Sequence, residues 1–284
     1  MTILVFGRGF LGERLARELP QALLHPADIA DETAVRAAIG DHRPAAVINA
    51  AGKTGRPNVD WCESHQFETF RSNVEGPLVL ARACAAFGTY LLHIGSGCIF
   101  YGPSPTPGGW REDDFANPKS YYSRTKYAAD LALSNLPNVG VARLRMPIDG
   151  APGPRNLITK LAGYKQVIDV ENSVTIVDDL VAVLRGLVER RATGVFHATN
   201  PGTMRHSDLL ALYREIVDPA HASELIGEEE LVARGLAKLG RSNCILESSR
   251  LAELGLTMRP IDVALRDAMT QYARAVKQSA LAAP

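Results

Sequence analysis

Ile3-Leu4-Val5-Phe6-Gly7-Arg8-Gly9-Phe10-Leu11-Gly12 stands at the head of the chain and decides its fold. Four apolar residues read as a short buried strand, and a Gly-x-Gly-x-x-Gly run follows without a gap. From Phe10 the spacing turns helical, with Leu11, Leu15 and Leu19 on one stripe and Pro20 as the stop. Strand, glycine turn and helix in that order are the setting in which such a run binds a dinucleotide. Missing side chains let the backbone approach a pyrophosphate at the positive end of the helix. Gly7, Arg8, Gly9, Phe10, Leu11 and Gly12 are therefore candidate cofactor contacts.

Outward from that stretch the alternation continues. Ala45–Ala51, Tyr90–Ile94 and Val139–Leu144 read as strands. Thr33–Ile39, Phe67–Phe87 and Tyr121–Ser134 read as helices. Repeated β-α-β units call for a parallel sheet covered on both faces. The expected fold class is α/β, a doubly wound parallel sheet of Rossmann type that binds ligands beyond the carboxyl ends of its strands. Asn49, Ala50 and Ala51, at the end of one strand, and Met146 and Pro147, after another, join the cofactor candidates.

After Met146 the rhythm changes. Pro147, Pro152 and Pro154 with nearby glycines make 147–155 a loop. Asn156–Tyr164 resumes as a helix, and Asp178-Asp179 cap a strong helix over Leu180–Arg190. Val195–Ala198 is a strand, Ser207–Ile216 and Pro260–Val276 are helices, and Gln278–Pro284 reads as a frayed tail. Residues 1–146 and 171–199 are expected to form the nucleotide-binding domain. Residues 147–170 and 200–284 are expected to form a smaller, mostly helical C-terminal substrate lobe, with the working site in the cleft between.

Composition excludes several classes. The 284 residues carry 31 basic and 31 acidic side chains, so the electrostatic footprint of a nucleic-acid binder is missing. No apolar run approaches the roughly 18 residues of a membrane span. The chain enters a strand at once, without the charged leader of an export signal. Cys62, Cys84, Cys98 and Cys244 lack the spacing of a metal knuckle, so no metal site is expected. A reduced, cytoplasmic setting follows. The helix faces do not fix an oligomeric state, and a homodimer is the simplest assembly they allow.

Chemistry enters at Tyr122-Ser-Arg-Thr-Lys126. The i,i+4 spacing puts phenol and ammonium on one helix face, where the cation is expected to draw the phenol's pKa down toward neutrality. Such a pair exchanges a proton with a carbonyl or alcohol. In Ile94-Gly-Ser-Gly-Cys-Ile-Phe100, Ser96 is the natural third member, a donor to the reacting oxygen. Cys98 shares its face, with a small buried hydrophobe as the plain alternative. The usual acidic partner for the adenosine ribose, about 20 residues beyond the glycines, is not evident, and the short second strand ends near His25. Arg8 is instead placed to face a 2′-phosphate, so NADPH is expected, with NADH as the alternative. Asp28 and Ile29 are candidates for the adenine.

Several longer stretches carry a resemblance. Ala50-Ala-Gly-Lys-Thr-Gly-Arg-Pro-Asn-Val-Asp-Trp-Cys-Glu-Ser-His65, Gly97-Cys-Ile-Phe100, Arg143-Leu-Arg-Met-Pro-Ile148, Pro154-Arg-Asn-Leu-Ile-Thr-Lys160 and Thr199-Asn-Pro-Gly202 resemble the plant nucleotide-rhamnose synthase/epimerase-reductases. The likeness runs from Ile3 to about Tyr272. More distantly the chain is similar to dTDP-4-dehydrorhamnose reductases, within the extended short-chain dehydrogenase/reductases. The resemblance implies 3,5-epimerisation and 4-reduction of a nucleotide-linked 4-keto-6-deoxyhexose. It maps a reductase trio onto Ser96, Tyr122 and Lys126, and an epimerase pair onto Cys98 and Lys160. UDP follows from the plant relatives, and no residue excludes dTDP or GDP. Two departures stand out: Ser96 replaces the family's usual Thr, and the glycine loop is one residue shorter than usual. The stretch Pro103–Gly109 follows no family pattern.

The ketone explains the pairing. It makes the C3 and C5 protons abstractable by delocalising the carbanion as an enolate. A Cys98 thiolate on one face and Lys160 on the other would invert each centre, and Tyr122 would protonate O4 during reduction. Asn156 shares a helix face with Lys160 and is expected to hold the diphosphate. Arg241 is a second phosphate candidate, with a surface salt bridge as its alternative. Asn58 and Asp60 are expected on sugar hydroxyls, with loop capping as theirs. Rival readings are a 4-reductase without epimerase activity, a non-catalytic NADP-binding regulatory subunit and a sugar-nucleotide 4-epimerase.

Overall fold

Strands that are buried at every position need cover on both sides, and two sets of helices provide it. The computed structural model describes residues 2–281. The first half runs β1 (Ile3–Phe6), α1 (Phe10–Glu18), β2 (Ala22–His25), α2 (Glu32–His42), β3 (Ala46–Asn49), α3 (Gln66–Phe70), α4 (Gly76–Ala86), β4 (Tyr90–Ser96), α5 (Tyr121–Leu133) and β5 (Val139–Leu144). The second half runs β6 (Pro147–Ile148), α6 (Leu157–Ala162), β7 (Gln166–Ile168), β8 (Glu171–Asn172), β9 (Thr175–Ile176), α7 (Val177–Arg190), β10 (Gly194–His197), β11 (Met204–Arg205), α8 (His206–Ile216), β12 (Glu224–Ile226), α9 (Glu228–Ala233), α10 (Ser249–Glu253) and α11 (Ile261–Leu281).

Six parallel strands form the sheet, in the order β2-β1-β3-β4-β5-β10. The strand order reverses between β1 and β3, which opens a crevice at their carboxyl ends. Alternation divides each strand between two cores. Ile3, Val5, Ile48 and Leu92 pack on α1 and α7 through Leu15, Leu19, Leu184 and Leu187. Leu4, Phe6, Val47 and Leu91 pack on α2, α4 and α5 through Val35, Ile39, Leu80 and Leu133. A third core joins α6, α8 and α11 through Ile158, Leu209, Leu265 and Met269, with Ile148 and Ile176 from the β6/β9 pair.

The differences from the sequence reading have local causes. The helix expected over 67–87 is interrupted by a π turn at Arg71–Glu75. That turn points Asn73 inward, where its side chain takes Lys53 N–H at 2.7 Å and donates to Lys53 O and Thr125 Oγ1. A regular helix is exchanged for a clamp on the loop after β3. In the 147–155 loop, Pro147 and Ile148 pair with Thr175 and Ile176 as a short parallel strand. The helix α11 runs on to Leu281, because Ala264, Leu265, Ala268, Met269 and Tyr272 keep one stripe buried. Residues 282–284 of the expected tail lie outside the described residues. Asp178 and Asp179 occupy the first turn of α7, as its dipole favours, but neither caps it. Their carboxylates pair with Arg14 and Arg259.

Candidate active site

The glycine turn shows what each of its three positions is for. A Cβ on Gly12 would sit 1.8 Å from Gly7 O, and one on Gly7, at φ +108°, would sit 2.4 Å from Ala51 N. These two are needed for close packing of turn, helix and neighbouring strand. A Cβ on Gly9 would meet nothing within 4 Å. Gly9 therefore faces open space at the N-terminus of α1, which fits a pyrophosphate held by backbone N–H groups. Gly9, Phe10, Leu11, Ala50, Ala51, Met146 and Pro147 line one cavity of about 500 Å³.

The same cavity collects the reactive side chains, each delivered by a different element. Ser96 ends β4, and its Oγ accepts the Cys98 N–H at 3.2 Å, which starts a 3-10 turn over Gly97–Ile99. Ser120 caps α5 by accepting from Ser123 N–H, and Tyr121 N–H is fixed by Glu63 Oε1 at 2.7 Å. Tyr122 and Lys126 thus face the cavity one turn apart. Ser96, Cys98, Tyr122, Lys126 and Lys160 all line it.

Charge states are set by burial. Burial pushes the Tyr122 phenol up, nearby Cys98 adds to the rise, and the Ser96 hydrogen bond opposes it. The sequence argument that Lys126 brings the phenol toward neutrality is corrected here: the phenol keeps its proton, as a proton donor must. Lys126 itself is brought down to about 8 by burial, against the pull of Asp130. Its Nζ donates to Ile94 O at 2.8 Å and lies 3.2 Å from His93 Nε2. Burial also brings Lys160 down, helped by Arg155, while Cys98 acts the other way.

Other expected contacts lie elsewhere. Asn49 is buried between His93 Nδ1 and the Ala51 N–H and does not line the cavity. Asp28 is exposed and paired with Arg71 at 2.6 Å, and Ile29 is buried beneath Gly76. Arg8 is exposed outside the cavity lining. Asn156 is corrected from a diphosphate ligand to a helix cap. It is fully buried, accepts from Ile158 N–H, and donates to Asp149 O and Ala151 O. Arg241 is engaged by Asp60 through two hydrogen bonds of 2.7 and 3.0 Å, and Asn58 accepts from Asp60 N–H. These three still line the cavity. Burial alone would raise the Asp60 carboxyl, but Arg241 holds it below its ordinary value.

Two cavity arginines escaped the sequence reading. Arg155 bonds Thr54 Oγ1 and Gly55 O across the cleft. Arg145 is fully buried with Nη1 3.4 Å from Cys98 Sγ. The available signal for Arg145 was a second cation directly after a buried strand that already carries Arg143. Among the described residues no group of three or more metal-ligating side chains is present. Nor is any helix among them long and apolar enough to cross a membrane.

The sequence profile of the RmlD substrate binding domain matches residues 1–272. The chain is 41% identical over 227 residues to a bifunctional dTDP-4-dehydrorhamnose 3,5-epimerase/dTDP-4-dehydrorhamnose reductase from Arabidopsis thaliana, covering 78% of this chain and 75% of that one. Against trifunctional plant enzymes of UDP-rhamnose formation, it spans 27%, 34% and 36% of their length. The crystal structure of the UDP-rhamnose synthase from Acanthamoeba polyphaga mimivirus superimposes with a TM-score of 0.88 at 31% identity, covering 95% of this chain and 99% of that one. A dTDP-4-dehydrorhamnose reductase from Bacillus anthracis, solved with NADP, shares the fold at a TM-score of 0.77 and 22% identity, covering 93% and 97%.

Proposed function

The chain belongs to the RmlD substrate binding domain family, and from that premise we propose that it is a bifunctional 3,5-epimerase/4-reductase. Its substrate is a nucleotide-linked 4-keto-6-deoxy-D-glucose with UDP as the nucleotide, its product is the L-rhamnose form, and its cofactor is NADPH. The observation that carries this reading is the gathering of Cys98 and Lys160 in one cavity with Ser96, Tyr122 and Lys126. A reductase alone needs only the last three.

The residues divide the work. Gly9 and the first turn of α1 would hold the cofactor's pyrophosphate, and Lys126 would bind its nicotinamide ribose. NADPH, when bound, supplies the hydride for C4. Residues 147–170 and 200–281 form the substrate lobe, and Asn58, Asp60 and Arg241 in the cavity lining meet the substrate. Cys98 takes the proton from C3 or C5. The electron pair of that C–H bond moves onto the C4 oxygen as an enolate, which Ser96 and Tyr122 stabilise by hydrogen bonding. Lys160 returns a proton from the opposite face. Burial suits it to this, because a lysine held below its ordinary value gives up a proton more readily. In the reduction, the phenol O–H of Tyr122 supplies the proton to O4. Reduction comes last, since it removes the ketone that acidifies both carbons.

Cys98→Ser and Lys160→Met separate the two activities. Each is expected to lower product formation from the unepimerised ketone by at least about 100-fold. Each is also expected to leave turnover of the already epimerised ketone within about threefold, well under one such proton-transfer contribution. Equal loss on both ketones would contradict the division of labour.

A further inference from the structure

We propose that Arg145 is the positioning residue that holds Cys98 in its anionic, proton-accepting form; the proposal rests on the bifunctional reading above. Arg145 is fully buried at the end of β5. A guanidinium stays charged at any pH the protein meets, and a buried charge is costly unless an opposite charge faces it. Arg143, two residues earlier, satisfies this with Asp130 at 2.8 Å. Among the described residues, no carboxylate lies within ion-pairing distance of Arg145.

Its contacts are neutral with one exception. Nη1 donates to Ser242 Oγ at 3.0 Å, and Nη2 donates to Asn172 Oδ1 and Ser242 O. Nε is buried and unpartnered. The remaining contact, from Nη1 to Cys98 Sγ at 3.4 Å, is the one that ends on an ionisable group. A thiolate there balances the cation.

The other groups around the thiol leave that role to Arg145. Tyr122 on α5 and Cys244 are acids that burial keeps protonated. Lys160 on α6 is brought down by burial and by Arg155, so its charge is not permanent. His206 on α8, which also feels Arg145, is brought down by burial and stays neutral. Arg145 is thus the lasting cation at the sulfur. In each inversion the thiolate gains the sugar's proton and Lys160 loses one. Transfer of the proton from thiol to amine, directly or through water, restores both.

Iodoacetamide alkylation of the whole protein tests this without any sugar. Modification of Cys98 is followed by peptide mass spectrometry as pH is varied, with buried Cys62, Cys84 and Cys244 as internal controls. The parent is expected to react at neutral pH at least about tenfold faster than Arg145→Met, with the variant's midpoint raised by about one pH unit or more. Arg145→Lys, which keeps a charge, is expected to recover much of the difference. A midpoint in Arg145→Met equal to the parent's would overturn the proposal, even if the variant melts lower, since a merely structural arginine would act on stability alone. If Arg145→Met does not fold, the parent decides. A midpoint well below that of a free thiol, about 8.5, supports the pairing, and one at or above it overturns it. Failure of the bifunctional reading would appear separately, as absence of deuterium exchange into the sugar by the parent.

Discussion

In the proposed reaction Tyr122 serves a single step. Its phenol is buried, carries a hydrogen bond from Ser96, and stays protonated. Tyr122→Phe removes the proton donor and little else. The expected result is a loss of ketone reduction of about 100- to 10,000-fold with NADPH affinity kept, measured by steady-state kinetics and fluorescence titration. Retained turnover would mean that another group delivers the proton. Lys126 makes a different prediction, on stability. Burial holds it near 8 in the folded chain, against 10.5 for an ordinary lysine. Between these values the unfolded chain carries a proton that the folded chain has shed. Stability therefore rises with pH across that window, and the full cost is present below it. Lys126→Met should flatten this part of the curve of melting temperature against pH for the cofactor-free protein. An unchanged slope would show that the cost lies elsewhere.

At the scale of elements, the glycine turn and its helix separate packing from binding. Gly12→Ala forces a Cβ to within 1.8 Å of Gly7 O and is expected to cost about 1–3 kcal/mol or to prevent folding. Gly9→Ala enters open space, so its stability should stay within about 1 kcal/mol of the parent while NADPH binding weakens at least tenfold. Thermal melts and cofactor titration read the two effects independently. The same turn explains why so much of the sheet was legible in the sequence. Apolar runs such as Ile3–Phe6 and Ala46-Val47-Ile48 are buried on both faces, so composition alone marks them. Asn156 was misread because i,i+4 spacing places Cα atoms and not side chains. At the first position outside a helix, its amide turns back onto the backbone to cap α6. The π turn was hidden for a related reason. Its cause is Asn73 reaching Lys53 and Thr125, contacts that no local pattern records.

At the scale of the molecule, the site is assembled from pieces far apart in the chain. Ser96, Tyr122 and Lys126 lie close enough in sequence to be read as a motif. Arg145 was invisible as a site residue because Cys98, Asn172 and Ser242, which define its surroundings, are 47, 27 and 97 residues away. Similar long-range pairs tie distant segments of the chain together. Arg14 on α1 joins Asp149 and Asp178, and Arg241 joins Asp60 in the cavity lining. This architecture brings Cys98, Lys160, Ser96, Tyr122 and Lys126 to one cavity, and the central proposal is that both reactions run there on one substrate. Incubation with UDP-4-keto-6-deoxyglucose and NADPH in D2O, followed by NMR of the product, tests it most directly. The account predicts an L-rhamnosyl nucleotide with deuterium at both C3 and C5. NADPH consumption with no deuterium at either carbon would contradict it and leave a 4-reductase.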